Sequence, residues 1–356
     1  METRMDAAYK FGCGRYVQEP GALERVGPEC GRLARKVLIV AGRTARALTE
    51  EAIEGSLRAA GVTGLWQEHA GACSEESARA YADAALGAGC GAVVGVGGGR
   101  ALDLAKLTAR LSGLPVICVP TSSATCAAFS PLSVVYTPEG KTRGTWLFPL
   151  EVSAVLADMD ILYAQPPRFL AAGMLDAMAK WIEVSHHLRF RTAGEGADAQ
   201  VAALIARHVY ERLMEIAPAA YADLEAGRRT QVVWDAAYLS IAGAGMVSGT
   251  ARGQYQSAIA HAAYEAVRTH FTDEARAAMH GEIVAVALFW QLRFSGMEEL
   301  QAPLRSVMRG LHMPLTLCEI GIEDTPANRM ILQRDLACTR FVRPEDAERL
   351  SRALNL

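Results

Sequence analysis

An apolar run at residues 92–96 (AVVGV) ends in Gly97, Gly98 and Gly99 and continues as a helix-patterned segment at 101–111. A short β-branched run bounded by glycine favours a buried strand, and apolar spacing near 3.6 residues favours a helix. A strand that feeds a helix through glycine is the building unit of a parallel α/β sheet. The alternation recurs on both sides. Residues 37–41 (VLIVA) and 115–119 (PVICV) read as strands, and an amphipathic helix follows the first of them to about residue 60. Residues 74–88 read as a helix with Ser74 at the N-cap ahead of Glu75 and Glu76. Residues 132–136 (LSVVY) and 154–156 add shorter strands, with the turn TPEG between them.

After Pro166 and Pro167 the texture changes. Alanine-rich helical patterns cover 173–188, 198–216, 230–241, 258–268, 281–294 and 298–309, and strand signals nearly vanish. The fold expected is an N-terminal Rossmann-like parallel-sheet domain followed by an all-helical C-terminal domain. The domains expected are a dinucleotide-binding α/β domain over 1–165 and a helical metal-binding and catalytic domain over 166–356. A chain of 356 residues is too long for one ordinary core. With 51% apolar and 21% charged residues it has ample material to pack.

Net charge is −3 and the pI about 6.3, with no basic stripe or acidic tail. Nucleic acid and anionic membrane are therefore not expected as partners; a small-molecule substrate is. The eight cysteines include no CxxC pair, and Cys90 and Cys118 beside apolar runs read as reduced core residues. The N-terminal stretch lacks the apolar segment of a signal peptide, and no run approaches the roughly 18 apolar residues of a membrane span. Cytoplasm is the expectation.

Four features carry chemistry. Glycines between strand and helix let backbone N–H groups approach a pyrophosphate at the favourable end of the helix dipole, although the same run also fits a tight turn with no ligand. The hydroxyl-rich loop of Thr121, Ser122, Ser123, Ala124 and Thr125 follows a parallel strand, on the side of open α/β sheets where ligands bind. At the end of the first strand stand Gly42 and Arg43, with no acidic residue to hold the ribose 2′-hydroxyl of NAD. An arginine there favours a 2′-phosphate, so NADP(H) is expected over NAD(H). In the helical half, Asp176, His261 and His280 offer one carboxylate and two imidazoles, a donor set suited to a divalent metal with an open position. Each histidine taken singly also fits a structural role. His69, His186, His187, His208, His270 and His312 read as surface or structural groups.

Together the segments GVGGGRALDLAK, VPTSSATCAAFSPLSVVYTPEG, AAGMLDAMAKW, AIAHAAYE and HGEIVA resemble the glycerol-dehydrogenase-like branch of the iron-containing alcohol dehydrogenase family. They run in order over roughly residues 10–315. Within the branch, GACSEES, ATCAA and DAMAKW look most like bacterial hydroxycarboxylate dehydrogenases, which reduce 2-oxo acids. The resemblance implies a dehydroquinate synthase-like architecture with a cleft between its two domains, and a homo-oligomer. It implies that Gly99, Arg100, Ala101, Leu102 and Asp103 line the cofactor pyrophosphate, beside Gly97 and Gly98. Thr121, Ser122, Ser123, Ala124, Ser130, Leu132 and Tyr136 would contact the rest of the dinucleotide. Asp176, His261 and His280 fall on the metal positions.

Three departures bear on the reaction. Cys126 stands where glycerol dehydrogenases carry an aspartate that grips a substrate hydroxyl, which disfavours glycerol and leaves Cys126 as a lining residue of the substrate pocket. Lys180 takes the place of a histidine ligand of the iron-using branch, which argues for zinc, with iron(II) or nickel(II) as alternatives. Four residues after Asp176, Lys180 either pairs with a substrate carboxylate or serves as a helix-face partner. Tyr264 and Glu265 replace the usual histidine–asparagine stretch and either relay the alcohol proton or mark altered activity. The leading expectation is hydride transfer between NAD(P)H and a small 2-oxo or 2-hydroxy acid, aldehyde or alcohol. Polyol oxidation, a dehydroquinate synthase-like cyclase and a catalytically dead relative are the alternatives.

Overall fold

The computed structural model describes residues 10–190, 196–251 and 255–354. Contacts divide the chain into two units, Met1–Gln165 and Pro166–Leu356. The first unit holds strands β1 (Tyr16–Glu19), β2 (Lys36–Gly42), β3 (Thr63–His69), β4 (Ala92–Gly97), β5 (Val116–Pro120), β6 (Leu132–Tyr136), β7 (Thr142–Leu147) and β8 (Ala154–Asp158). Between them run helices α1 (Val26–Leu33), α2 (Arg43–Ala59), α3 (Glu75–Gly87) and α4 (Gly99–Ser112), with the short α5 (Met159–Leu162) after β8.

Six strands form one parallel sheet in the order β1-β8-β5-β4-β2-β3. Central strands β2 and β4 are covered on both faces, which is why they read as unbroken apolar runs. From β2 the chain steps outward to β3, then returns to the other side of β2 as β4. The direction of travel therefore reverses between β2 and β4, and Gly42 and Gly97 end those two strands. Strand β3 escaped the sequence reading because it is an edge strand. Its TGLWQEH alternates between exposed and half-buried and carries Gln67, Glu68 and His69, so it lacks a buried apolar signature.

Residues 132–136 are a strand but do not join the parallel sheet. β6 pairs antiparallel with β7, and the TPEG turn closes that hairpin. A buried ammonium fastens it to α4. Lys106 Nζ donates to Ser130 O at 3.1 Å and to Leu132 O, and pairs with Asp103 Oδ1 at 2.9 Å. Asp103 Oδ2 in turn accepts from Val134 N–H at 3.2 Å.

The second unit is helical, and no strand forms there among the described residues. Its helices are α6 (Pro167–Arg189), α7 (Ala197–Glu225), α8 (Gln231–Tyr238), α9 (Ala244–Thr250), α10 (Ile259–His270), α11 (His280–Ser295), α12 (Gln301–Gly310), α13 (Pro326–Ala337) and α14 (Ala347–Leu354). α6 opens with Pro167 in its first turn, where the missing N–H costs nothing. α7 continues past Pro218 to Glu225, further than its apolar periodicity suggested. Among the described residues no helix is long and apolar enough to cross a membrane.

The start of α11 lies directly against the backbone of α6. A Cβ on Gly281 would stand 2.0 Å from Ala172 O, a distance no side chain can occupy. The absence of a side chain at 281 thus lets α11 bring its first residue, His280, to the face of α6 that carries Asp176. Gly281→Ala is expected to destabilise the protein by about 1–3 kcal/mol or more through overpacking. It should also weaken divalent-metal retention. Thermal unfolding and metal analysis of the variant check both effects.

Candidate metal centre and dinucleotide site

Each of the three metal-ligand candidates comes from a different helix of the second unit. Asp176 lies mid-way along α6, His261 in the first turn of α10, and His280 at the first position of α11. α11 is anchored by Glu282, which accepts from Met279 N–H at 2.8 Å and pairs with Arg168 of α6 at 2.5 and 2.7 Å. Tyr264 is buried with its ring 4.2 Å from that of His280, an edge contact that restrains the imidazole.

The three ligand atoms lie within 4.8 Å of one another. Nε2 of His261 is 3.3 Å and Nε2 of His280 3.2 Å from Asp176 Oδ1. Those distances suit ion pairs, yet neither contact has hydrogen-bond geometry. Oδ1 of Asp176 is a buried acceptor without a donor among the described residues. A buried polar atom left in this way is costly unless something else meets it. Ligands held about 2.0–2.1 Å from a common tetrahedral centre stand about 3.4 Å apart, close to the separations found here. The donor set and its spacing therefore fit a divalent ion.

The electrostatics agree with a site built for positive charge. Burial would raise the Asp176 carboxyl, but His280, His261 and Lys180 together hold it well below the usual carboxylate range. Burial would likewise depress His261, and the Glu183 carboxylate outweighs it, raising the imidazole to about 9. Glu183 is wholly buried and 2.5 Å from His261 Nδ1. The sequence reading missed it. The signal was present: Asp176, Lys180 and Glu183 fall at i, i+4 and i+7, one polar stripe in the otherwise apolar stretch from Phe169 to Val184.

Lys180 is 5% exposed and has no hydrogen-bond or ion-pair partner among the described residues. Its charge acts on Asp176, Glu183 and His261. Glu265, one turn beyond His261, is exposed to solvent.

In the first unit, the C-terminal ends of the strands set His69, Gly42, Gly97 and Pro120 along one edge of the sheet. Gly97 has φ +144°, a conformation that side-chain-bearing residues rarely adopt, and the chain there turns into α4. Gly98 caps α4 without a side chain. A Cβ on Gly98 would face Ser122 Oγ at 3.6 Å, and one on Gly99 would crowd Thr125 Oγ1 at 3.1 Å, so hydroxyls flank the turn. Thr121 N–H donates to Gly97 O at 3.0 Å and ties the two loops together. This cradle of small residues, hydroxyls and a helix start fits a phosphate group.

Several of the residues expected at the cofactor are engaged within the chain. Ala101 and Leu102 are buried and spend their N–H groups on Gly98 O, while Asp103 is engaged with Lys106. The N–H groups of Gly99 and Arg100 remain at the helix start. Ser123 is bonded to Gln165, and Ser130 to the carbonyl of Cys126 at 2.9 Å. The Cys126 thiol is buried. Leu132 and Tyr136 belong to the hairpin, where the Tyr136 N–H donates to Cys73 O at 2.8 Å. Arg43 is exposed at the first position of α2. His69, read from sequence as structural, ends β3 beside Gly42. Its imidazole is depressed by burial and by the charge of Arg100, and its Nδ1 is buried without a partner among the described residues.

The family model of iron-containing alcohol dehydrogenases matches residues 13–159. A glycerol dehydrogenase of Escherichia coli O6:H1 is 32% identical over 334 residues, covering 91% of this chain and 88% of that protein. Hydroxycarboxylate dehydrogenase A of Escherichia coli K12 is 32% identical over 261 residues, covering 71% and 69%. Among solved structures, the glycerol dehydrogenase of Schizosaccharomyces pombe superposes with TM-score 0.82 at 25% identity, covering 99% of this chain and 91% of that one.

Removing one ligand should abolish tight metal retention while leaving the helices intact. Asp176→Asn and His280→Ala proteins are expected to emerge from exhaustive dialysis without the divalent ion that the wild type keeps. Elemental analysis alongside circular dichroism checks this; wild-type occupancy in both variants would contradict the assignment.

Proposed function

The chain belongs to the iron-containing alcohol dehydrogenase family, in its glycerol-dehydrogenase-like branch, and from that premise we propose a metal-dependent NAD(P)H oxidoreductase. Its reaction moves hydride between a nicotinamide ring and a small 2-oxo or 2-hydroxy acid, aldehyde or alcohol. The observation that carries this reading is the convergence of Asp176, His261 and His280 around a buried carboxylate oxygen that no donor in the described chain satisfies.

A divalent ion held by these residues supplies a Lewis acid for a substrate carbonyl or alkoxide oxygen. Zinc suits the one-carboxylate, two-imidazole set, with iron(II) or nickel(II) as alternatives. The Gly99 and Arg100 N–H groups at the start of α4 bind the dinucleotide pyrophosphate, with the hydroxyls of Ser122 and Thr125 on either side. Arg43 takes the 2′-phosphate, which gives the preference for NADP(H). Cys126 contributes an uncharged surface to the substrate pocket, in keeping with a substrate other than glycerol. Glu265, exposed and on the same helical face as His261, exchanges the alcohol proton with solvent. Tyr264 supports His280 through packing.

Lys180 supplies the acid specificity. The Lys180 side chain is 5% exposed, and its ammonium has no hydrogen-bond or ion-pair partner among the described residues, which leaves it able to receive an anion. A substrate carboxylate would pair with it.

Turnover is tested by following cofactor absorbance with added zinc, iron(II) or nickel(II) over a panel of 2-oxo acids, aldehydes and polyols. Lys180→Ala should raise KM for 2-oxo acids about 10- to 100-fold, the loss of one charge-assisted bond, and spare uncharged aldehydes. Equal effects on both classes would reject the carboxylate role. Arg43→Ala should cut kcat/KM with NADPH by a similar factor while leaving NADH unaffected. Equal efficiency of the wild type with both cofactors would remove the proposed preference.

A further inference from the structure

Helix α10 carries the ligand His261 in its first turn, yet its local sequence provides no cap. Ala258 stands at the N-cap, and no neighbouring side chain reaches the N–H groups. A helix start leaves up to four such donors in need of acceptors. Two side chains from other helices supply them. Glu183 Oε1, on α6, accepts from Ala258 N–H at 2.7 Å and His261 N–H at 3.0 Å. Gln291 Oε1, on α11, accepts from Ile259 N–H at 2.6 Å and Ala260 N–H at 3.3 Å. Both side chains are fully buried. Gln291 is itself fixed, since its Nε2 donates to Ser295 Oγ at 2.7 Å.

The two caps do the same backbone work with different chemistry. Gln291 does it with a neutral amide, so capping alone does not explain a buried, costly carboxylate at 183. The difference between them is a third contact. Glu183 Oε2 meets His261 Nδ1, while Gln291 has no hydrogen bond to a ring among the described residues. A carboxylate on Nδ1–H fixes the tautomer that leaves the Nε2 lone pair free and makes the ring a stronger ligand. Nε2 is the atom that faces Asp176.

We infer that Glu183 is a positioning residue of the metal centre, one carboxylate that sets both the backbone start of α10 and the imidazole of His261. The inference rests on the metal centre of the proposed function. Its test compares the two caps. Cobalt(II) affinity is measured for the wild type, Glu183→Gln and Gln291→Met by visible absorption against a competing chelator, and metal-free unfolding is followed for each. Glu183→Gln should bind cobalt about 10- to 100-fold more weakly, with an altered visible spectrum. Gln291→Met should lose thermal stability but keep the wild-type affinity and spectrum. Wild-type affinity in Glu183→Gln, or an equal loss in Gln291→Met, overturns the inference, because capping would then account for both residues. If Glu183→Gln does not fold, Glu183→Asp, which keeps the charge on a shorter arm, takes its place and should also bind more weakly; full affinity there overturns the inference. A wild type that binds no cobalt overturns the metal centre itself, whereas a loss confined to the variants bears on Glu183 alone.

Discussion

Two carboxylates seven residues apart on α6, Asp176 and Glu183, are buried in the helical unit, and burying charge is what the rest of that unit must compensate. Each is met differently. Glu183 is satisfied by the start of α10 and by His261. Asp176 is approached by two imidazoles that stop at ion-pair distance without forming hydrogen bonds. Glu183 is met among the described residues, whereas Asp176 Oδ1 has no hydrogen-bond donor there and the groups around it could hold a cation. Lys180 lies between them on the same face, and its positive charge acts on both carboxylates.

This arrangement explains why three helices distant in sequence must meet closely. α11 reaches α6 through the bare backbone of Gly281 and the Arg168–Glu282 pair. α10 is held by acceptors on both α6 and α11. The glycine turn of the first unit follows a separate logic. There the parallel sheet reverses its direction of travel between β2 and β4, and loops at the strand ends present backbone N–H groups and hydroxyls.

Much of this was legible in the sequence where local pattern decides the outcome. Buried central strands and the glycine turn each carry their own signal, as does the Ser74 cap, which accepts from Ser77 N–H as its residue type predicts, whereas Asp176, His261 and His280 stand out only through the family resemblance. What was not legible depends on partners far along the chain. β3 is an edge strand without an apolar signature. β6 is legible as a strand, but its antiparallel mate β7, of mixed polarity, carries no such pattern. The pairing of Asp103 with Lys106, one helical turn on, is not announced by its place after the glycines. Glu183 caps backbone 75 residues away, a distance over which no local motif speaks.

The attachment of the β6–β7 hairpin has a consequence for solution behaviour. Dissolved ions weaken charge pairs that water can reach, and do so far less for pairs it cannot. Arg207–Glu211 on the surface of α7 is of the first kind, and Lys106 with its carbonyl and carboxylate partners is of the second. In concentrated brine the outer ionic contacts of this protein would fade while the hairpin kept its mooring.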